Sequence, residues 1–253
     1  MLIAIDIGNS VTDIGVFVGR ELTRRVKTES DINKGVAEIR HFLKVMLEEY
    51  QLSRDAIENA IISSVVPLLT PVWEKAVYEE LEVRPTFVST AEKAALPISS
   101  EIDASDLGAD IIAASVAALS KYGICTVVAD LGTANKLIYL NEKGEFAGLS
   151  IAPGLRIAAK SLRNGTSALP EIPLEKVDKA IGKNTKDCIL SGVVYGAATS
   201  IKGLALAFEK EAGFPLKWIL TGGNAQYVAD LLPEFKLDES LVLDGLSLIA
   251  SKN

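Results

Sequence analysis

The chain is short of the residues that several common chemistries need. Its 253 residues include one histidine, His41, and two cysteines, Cys125 and Cys188, with no CxxC pair. A Ser-His-Asp relay needs a histidine beside its nucleophile, and His41 lies in a charged, helix-like stretch where a surface position is expected. Two isolated thiols in apolar surroundings suit a reducing compartment better than a disulfide scaffold, so a cytoplasmic location is the expectation. Basic residues are not in excess. Lys and Arg number 26 against 33 Asp and Glu, a formal net charge of −7. That balance disfavours a general nucleic-acid or anionic-membrane surface. No basic region followed by an apolar run and a cleavage site opens the chain, so no signal peptide is expected. The longest stretch poor in charge, residues 189–208, contains Lys202 and three glycines. It is expected to be a buried helix rather than a membrane span.

What is present describes an ordinary globular protein, 49% hydrophobic and 23% charged. This is enough chain for one sizeable domain or two small ones. Apolar periodicity predicts strands over residues 2–6, 12–18 and 22–28, then a helix from an Asp31 cap to about Tyr50. A buried strand over 60–66, a helix over 70–81 and a short strand over 86–89 follow. Residues 91–106 are polar and irregular, and 107–122 reads as a buried helix. The order then repeats. Strands are predicted over 124–129, 135–140 and 146–151, a helix after Pro153-Gly154, and a long helix over 185–211. A strand over 218–220, a helix from Gly223 to Leu232, a strand over 241–243 and a terminal helix complete the chain. A pattern met twice predicts two similar α/β halves, 1–120 and 121–253, with a central cleft.

Each half opens on the same phrase. Asp6-Ile7-Gly8-Asn9 and Asp130-Leu131-Gly132-Thr133 each follow a buried run and precede a returning strand. The glycine lets backbone N–H groups approach a ligand closely. Asn9, Ser10 and Thr133 are candidate donors to phosphate oxygens, and Asp6 and Asp130 candidate ligands of a hydrated Mg²⁺. Thr221-Gly222-Gly223, after a strand, is a candidate nucleotide platform: paired glycines clear side chains from the backbone, and a helix N-terminus there would favour phosphate. Asp110 opens a helix in Gly108-Ala109-Asp110. It is either a dipole-compensating cap or a proton acceptor for a substrate hydroxyl.

Taken together, these stretches resemble the type III pantothenate kinases of the acetate-and-sugar-kinase, Hsp70 and actin superfamily. Ser64-Val65-Val66-Pro67, Ile151-Ala152-Pro153-Gly154, Ala168-Leu169-Pro170, Gly182-Lys183-Asn184-Thr185 and Leu243-Asp244-Gly245-Leu246 carry the resemblance further, in order, through nearly the whole chain. It implies two duplicated actin-like (ribonuclease H-like) domains and ATP-dependent phosphorylation of the primary hydroxyl of pantothenate. It also implies that Asp6, Gly8, Asn9 and Ser10 form one phosphate loop, and Asp130, Gly132 and Thr133 the other. Asp110 matches the base, Gly108 and Val66 fall in substrate segments, and Thr185 matches a substrate contact supplied by the partner of a homodimer. A monovalent cation (K⁺ or NH₄⁺) is implied near the dimer interface.

Three motifs depart from the family pattern, at four positions. Ile111 stands where an arginine is expected to engage substrate, and isoleucine cannot bind a carboxylate. Asn135-Lys136 replaces two threonines. Asn135 retains a hydrogen-bond donor, while Lys136 brings a charge. Leu149 replaces the second glycine of a pair. Lys136 and Arg156 are candidate replacements for the missing cation. The alternatives are a diverged, non-catalytic accessory protein and a kinase for another small hydroxyl compound.

Overall fold

The computed structural model describes residues 1–105 and 107–252. The irregular stretch expected over 91–106 is therefore seen to Ser105, and Asp106 lies outside the described residues. The chain opens on three strands, β1 (Leu2–Ile7), β2 (Val11–Val18) and β3 (Glu21–Glu29). Helix α1 (Val36–Glu49), β4 (Asn59–Ser64), α2 (Thr70–Leu81), β5 (Thr86–Phe87) and α3 (Ala109–Tyr122) follow. Strands β6 (Thr126–Leu131), β7 (Ala134–Leu140) and β8 (Phe146–Pro153) repeat the opening. Then come α4 (Leu155–Gly165), α5 (Thr185–Ala212), β9 (Lys217–Thr221), β10 (Lys236–Leu237) and α6 (Leu241–Ala250).

Two five-stranded sheets share one topology, β3-β2-β1-β4-β5 and β8-β7-β6-β9-β10. In each, two antiparallel ladders lead into two parallel ones. Strand alternation explains where the acidic residues go. Ile3, Ile5 and Ile7 of β1 join Leu43 and Met46 of α1 and Trp73 and Val77 of α2 in one core, which leaves Asp6 on the other face. Val127, Ala129 and Leu131 of β6 pack with Val193, Val194 and Ile201 of α5 in the second core, which leaves Asp130 on the other face. The long helix α5 meets the length and hydropathy of a membrane span, yet its stripe from Ile189 to Ala205 packs inward.

The contacts divide the chain into one unit of Met1–Ser120 with the segment from Leu241 onward, and a second unit of Lys121–Ser240. The C-terminal segment thus departs from the expected 121–253 half. Residues 241–243, expected as a strand, begin α6, which packs on β1, β2 and β4. The run Leu241-Val242-Leu243 is apolar throughout, and so short a run cannot distinguish strand from helix by period. Helix α1 starts later than expected. Asp31 accepts a hydrogen bond from Asn33 N at 2.9 Å and makes a local turn instead of a cap. Gly35 occupies the cap, its N–H donating to the Glu38 carboxylate at 2.7 Å. Residues 225–231 form two single 3₁₀ turns, Ala225–Tyr227 and Ala229–Leu231, where a helix was expected.

In the second unit, Asp238 follows β10 and gathers two donors from the end of α3. Tyr122 Oη donates at 2.6 Å and Lys121 Nζ at 2.5 Å. Burial pushes the Asp238 carboxyl up, but the hydrogen bonds from Lys121 and Tyr122 and the Lys121 charge outweigh it, and the group lies below its ordinary value of 3.8. A depressed carboxyl stabilises the fold above its unfolded pKa, and that contribution is lost as pH falls through the folded value. Asp238→Asn should therefore cost about 1–3 kcal/mol at neutral pH. The gap from wild type should shrink once the pH drops below 3.8. Urea unfolding of both proteins across that range measures it.

Candidate functional site

In the first unit β1 runs into a tight corner. Gly8 N donates to Val11 O at 3.1 Å, closing the β1–β2 turn. Ser30 N donates to Ser10 O at 3.2 Å, so the end of β3 fastens the corner from the side. Thr12 Oγ1 and Ser30 Oγ, 2.8 Å apart, add a second tie. Asn9 and Ser10 remain exposed at the tip. Asp6 sits between Asp13 of β2 and Ser63 of β4 in the strand register. Arg25 grips Asp13 through two nitrogens, at 2.6 Å from Nη2 and 3.0 Å from Nε, so that neighbour's charge is already compensated.

The second unit builds its corner from three distant segments. Gly132 N donates to Ala134 O at 3.1 Å, and Gly154 N to Thr133 O at 3.1 Å. Asn224 donates twice, from N to Leu131 O at 2.9 Å and from Nδ2 to Gly132 O at 2.8 Å. Two glycines are required by close approach. A Cβ on Gly154 would lie 2.2 Å from Thr133 O, and one on Gly222 would lie 2.5 Å from Leu131 N and 2.6 Å from Asp130 Oδ1. Gly222 also has φ +93°, a region other residues rarely enter. The segments bearing Asp130-Thr133, Pro153-Gly154 and Thr221-Gly222-Gly223 are thus one packed corner. Asn224 stitches it together and is the residue that sequence reading missed. Its signal was an amide directly after a glycine pair, a turn-forming type able to bond neighbouring backbone. The 3₁₀ turns after Gly223 remove the expected helix N-terminus, so any phosphate preference here comes from bare backbone rather than a helix dipole.

The departures acquire specific places. Asn135 Nδ2 donates to Pro153 O at 3.2 Å and so ties β7 to the Pro-Gly turn. Lys136 lies opposite Asp130 in the β6–β7 ladder, and its Nζ is 2.7 Å from Asp130 Oδ2. Their side chains are only 13% and 8% exposed. Leu149 opposes Ile138 and continues the β7–β8 ladder. Ile111 is buried in α3. Arg156 is exposed on α4 and, with Lys160 and Glu171, lines a cavity of about 470 Å³.

The remaining candidates fall in two places. In the first unit Asp110 lies in the first turn of α3, where its Oδ1 accepts from Ile111 N at 2.8 Å, and Gly108 O accepts from Ile112 N at 3.0 Å. The Val66 side chain joins the core, while its carbonyl accepts from Thr70 Oγ1 at 3.1 Å. Any contact it offers a substrate is therefore through backbone. In the second unit Thr185 is exposed at the start of α5, next to Asn184, whose side chain accepts from Asp187 N at 3.0 Å.

The two carboxylates expected to hold Mg²⁺ have different surroundings in their own units. Among the described residues no three His, Cys, Asp or Glu side chains cluster to hold a metal. Asp130, expected as a ligand, is engaged by an ammonium at 2.7 Å. Asp6, a strand-end carboxylate beside the first corner, is of a type that suits a nucleotide-borne Mg²⁺, an ion that commonly takes one or two carboxylates plus substrate phosphates.

Known proteins resemble this chain along nearly its whole length. The family model for type III pantothenate kinase matches residues 2–207. The type III pantothenate kinase of Moorella thermoacetica is 33% identical over 257 residues, spanning all of both chains. That of Thermomicrobium roseum is 35% identical over 247 residues, covering 97% of this chain and 95% of its own. Among solved structures, the activator of the 2-hydroxyisocaproyl-CoA dehydratase from Clostridium difficile with bound ADPNP superposes with a TM-score of 0.55 at 11% identity. That match covers 99% of this chain and 94% of the activator, and it speaks for the fold alone.

Proposed function

The chain belongs to the type III pantothenate kinase family, and from that membership we propose that it transfers the γ-phosphate of ATP to the primary hydroxyl of pantothenate. This is the first step of coenzyme A biosynthesis. The fold is the duplicated actin-like α/β fold of such phosphotransferases. One observation carries the reading to the residues: the second corner is stripped of side chains at Gly132, Gly154 and Gly222, the last two by steric necessity. Backbone cleared of side chains beside a strand-ending carboxylate lets a nucleotide approach the chain closely.

In this reading Gly8, Asn9 and Ser10 bind phosphate in the first unit, and Gly132 and Thr133 do so in the second. Thr221, Gly222 and Gly223 form the platform for the rest of the nucleotide. Asp6 holds the hydrated Mg²⁺ that arrives with ATP, and that ion, when bound, shields phosphate charge during transfer. Asp110 accepts the hydroxyl proton. The freed oxygen bonds to the γ-phosphorus as the bond to the bridging oxygen breaks, and ADP leaves. Gly108 and the Val66 carbonyl border the substrate, and Thr185 contacts it from the second copy of a homodimer. A monovalent cation, K⁺ or NH₄⁺, and a cytoplasmic location complete the proposal.

ADP release in a coupled assay with pantothenate tests this directly. One ADP for each phosphopantothenate is the expected result. The buried Ile111 favours a second reading, in which the acceptor is a small hydroxyl compound without a carboxylate. ADP release with such a compound, and none with pantothenate, would establish that reading instead. No release across a panel of hydroxyl substrates would refute both.

A further inference from the structure

We infer that Asp130 is not a metal ligand but the seat of a fixed cation: the Lys136 ammonium serves the nucleotide phosphates at the second corner. The inference rests on the kinase reading above and assigns a role to a residue that reading leaves unused. Four observations converge on it. Lys136 and Asp130 are partners in the β6–β7 register, on the sheet face away from the core. Their charged ends lie 2.7 Å apart with little exposure. The Asp130 Oδ1 atom packs against Gly222, which places the ion pair at the corner itself, not elsewhere along the strand.

The fourth observation is the internal comparison of the two units. They share one topology, and the residue beside Asp6 on the returning strand is Asp13, whereas the residue beside Asp130 is Lys136. One register position therefore carries opposite charge in the two halves. A buried ion pair adds little net stability, because desolvation roughly offsets the attraction. A lysine there is better explained by an anion that it meets. Magnesium seeks carboxylate and phosphate oxygen and is repelled by an adjacent ammonium, whereas lysine binds phosphate as a point charge. The metal thus belongs with Asp6, and the fixed charge with Lys136. Asp130 acts through Lys136 and is a positioning residue.

Direct binding to the full chain tests the assignment, with adenosine, ADP and ATP titrated in the absence of divalent metal. Lys136→Met should weaken ADP and ATP by about 10- to 100-fold and leave adenosine within about twofold, as loss of one charge-assisted phosphate contact requires. Lys136→Arg should recover most of the phosphate affinity. Asp130→Asn should leave Mn²⁺ affinity of the ATP complex, read by electron paramagnetic resonance, within about twofold of wild type. If Lys136→Met does not fold because Asp130 loses its ammonium neighbour, the double variant Asp130→Asn/Lys136→Met removes both charges and carries the same nucleotide comparison. An unchanged ratio of ATP to adenosine affinity would overturn the inference, as would a tenfold loss of Mn²⁺ affinity in Asp130→Asn. Wild-type protein that binds neither ADP nor ATP would overturn the kinase reading and this inference with it, which separates the two failures.

Discussion

Asp110→Asn should lower kcat for ADP release by about 100- to 10,000-fold, the range of a single general base, while ATP affinity stays close to wild type. The asparagine is nearly isosteric, and its Oδ1 can still accept the Ile111 N–H that Asp110 Oδ1 accepts at 2.8 Å. The start of α3 should therefore survive, and unfolding should be shifted little. What is removed is the carboxylate's charge, and with it the basicity. An Asp110 that merely caps the helix would leave kcat unchanged, while the few tenths to about 1 kcal/mol of a dipole interaction would be lost in either case. Measuring kcat, ATP affinity and thermal unfolding on the same preparations distinguishes the two roles.

Gly222→Ala should damage the second corner more than any surface change could. Its Cβ would enter space 2.5 Å from Leu131 N and 2.6 Å from Asp130 Oδ1, at a backbone φ of +93°. Positive-φ strain and overpacking together cost about 2–4 kcal/mol. That predicts a fall in Tm of roughly 5–15 °C. Relief requires moving β6 or the segment after β9, and both routes disturb Asn224, which binds Leu131 O and Gly132 O. Nucleotide affinity should fall along with stability. Gly223→Ala is the matched control: a Cβ there meets nothing within 4 Å, so its effect on folding should be small. Thermal unfolding with and without ADP measures both variants, and equal losses in the two would refute the geometric account.

Much of the fold is legible along the chain because its signals are local. Strands β1–β3 and β6–β8, helix α2 over Thr70–Leu81 and helix α5 from Thr185 agree with the periodicity that predicted them. Misreadings cluster where local signals are ambiguous. The apolar run at 241–243 fits strand or helix equally. The segment after Gly223 contains helix-compatible residues but folds into 3₁₀ turns, its first residues being drawn onto the second corner by Asn224.

The candidate site divides in the same manner. Residue order alone was enough to identify both acidic glycine turns, the Asp110 helix start and the Thr-Gly-Gly segment, since each is a short phrase at the end of an apolar run. It was also enough to mark Lys136 as unusual, but as a substitute anchor for a missing arginine. Tertiary structure decided where Lys136 goes, by setting it across a ladder from Asp130. Tertiary structure likewise joined Gly154, Gly222 and Asn224 to Asp130-Thr133, and carried the terminal helix to the first sheet. The physical reason is that strand period and turn chemistry act over a few residues. Which side chains become neighbours across strands depends on register and chain return, and these are set by burial of the whole sheet.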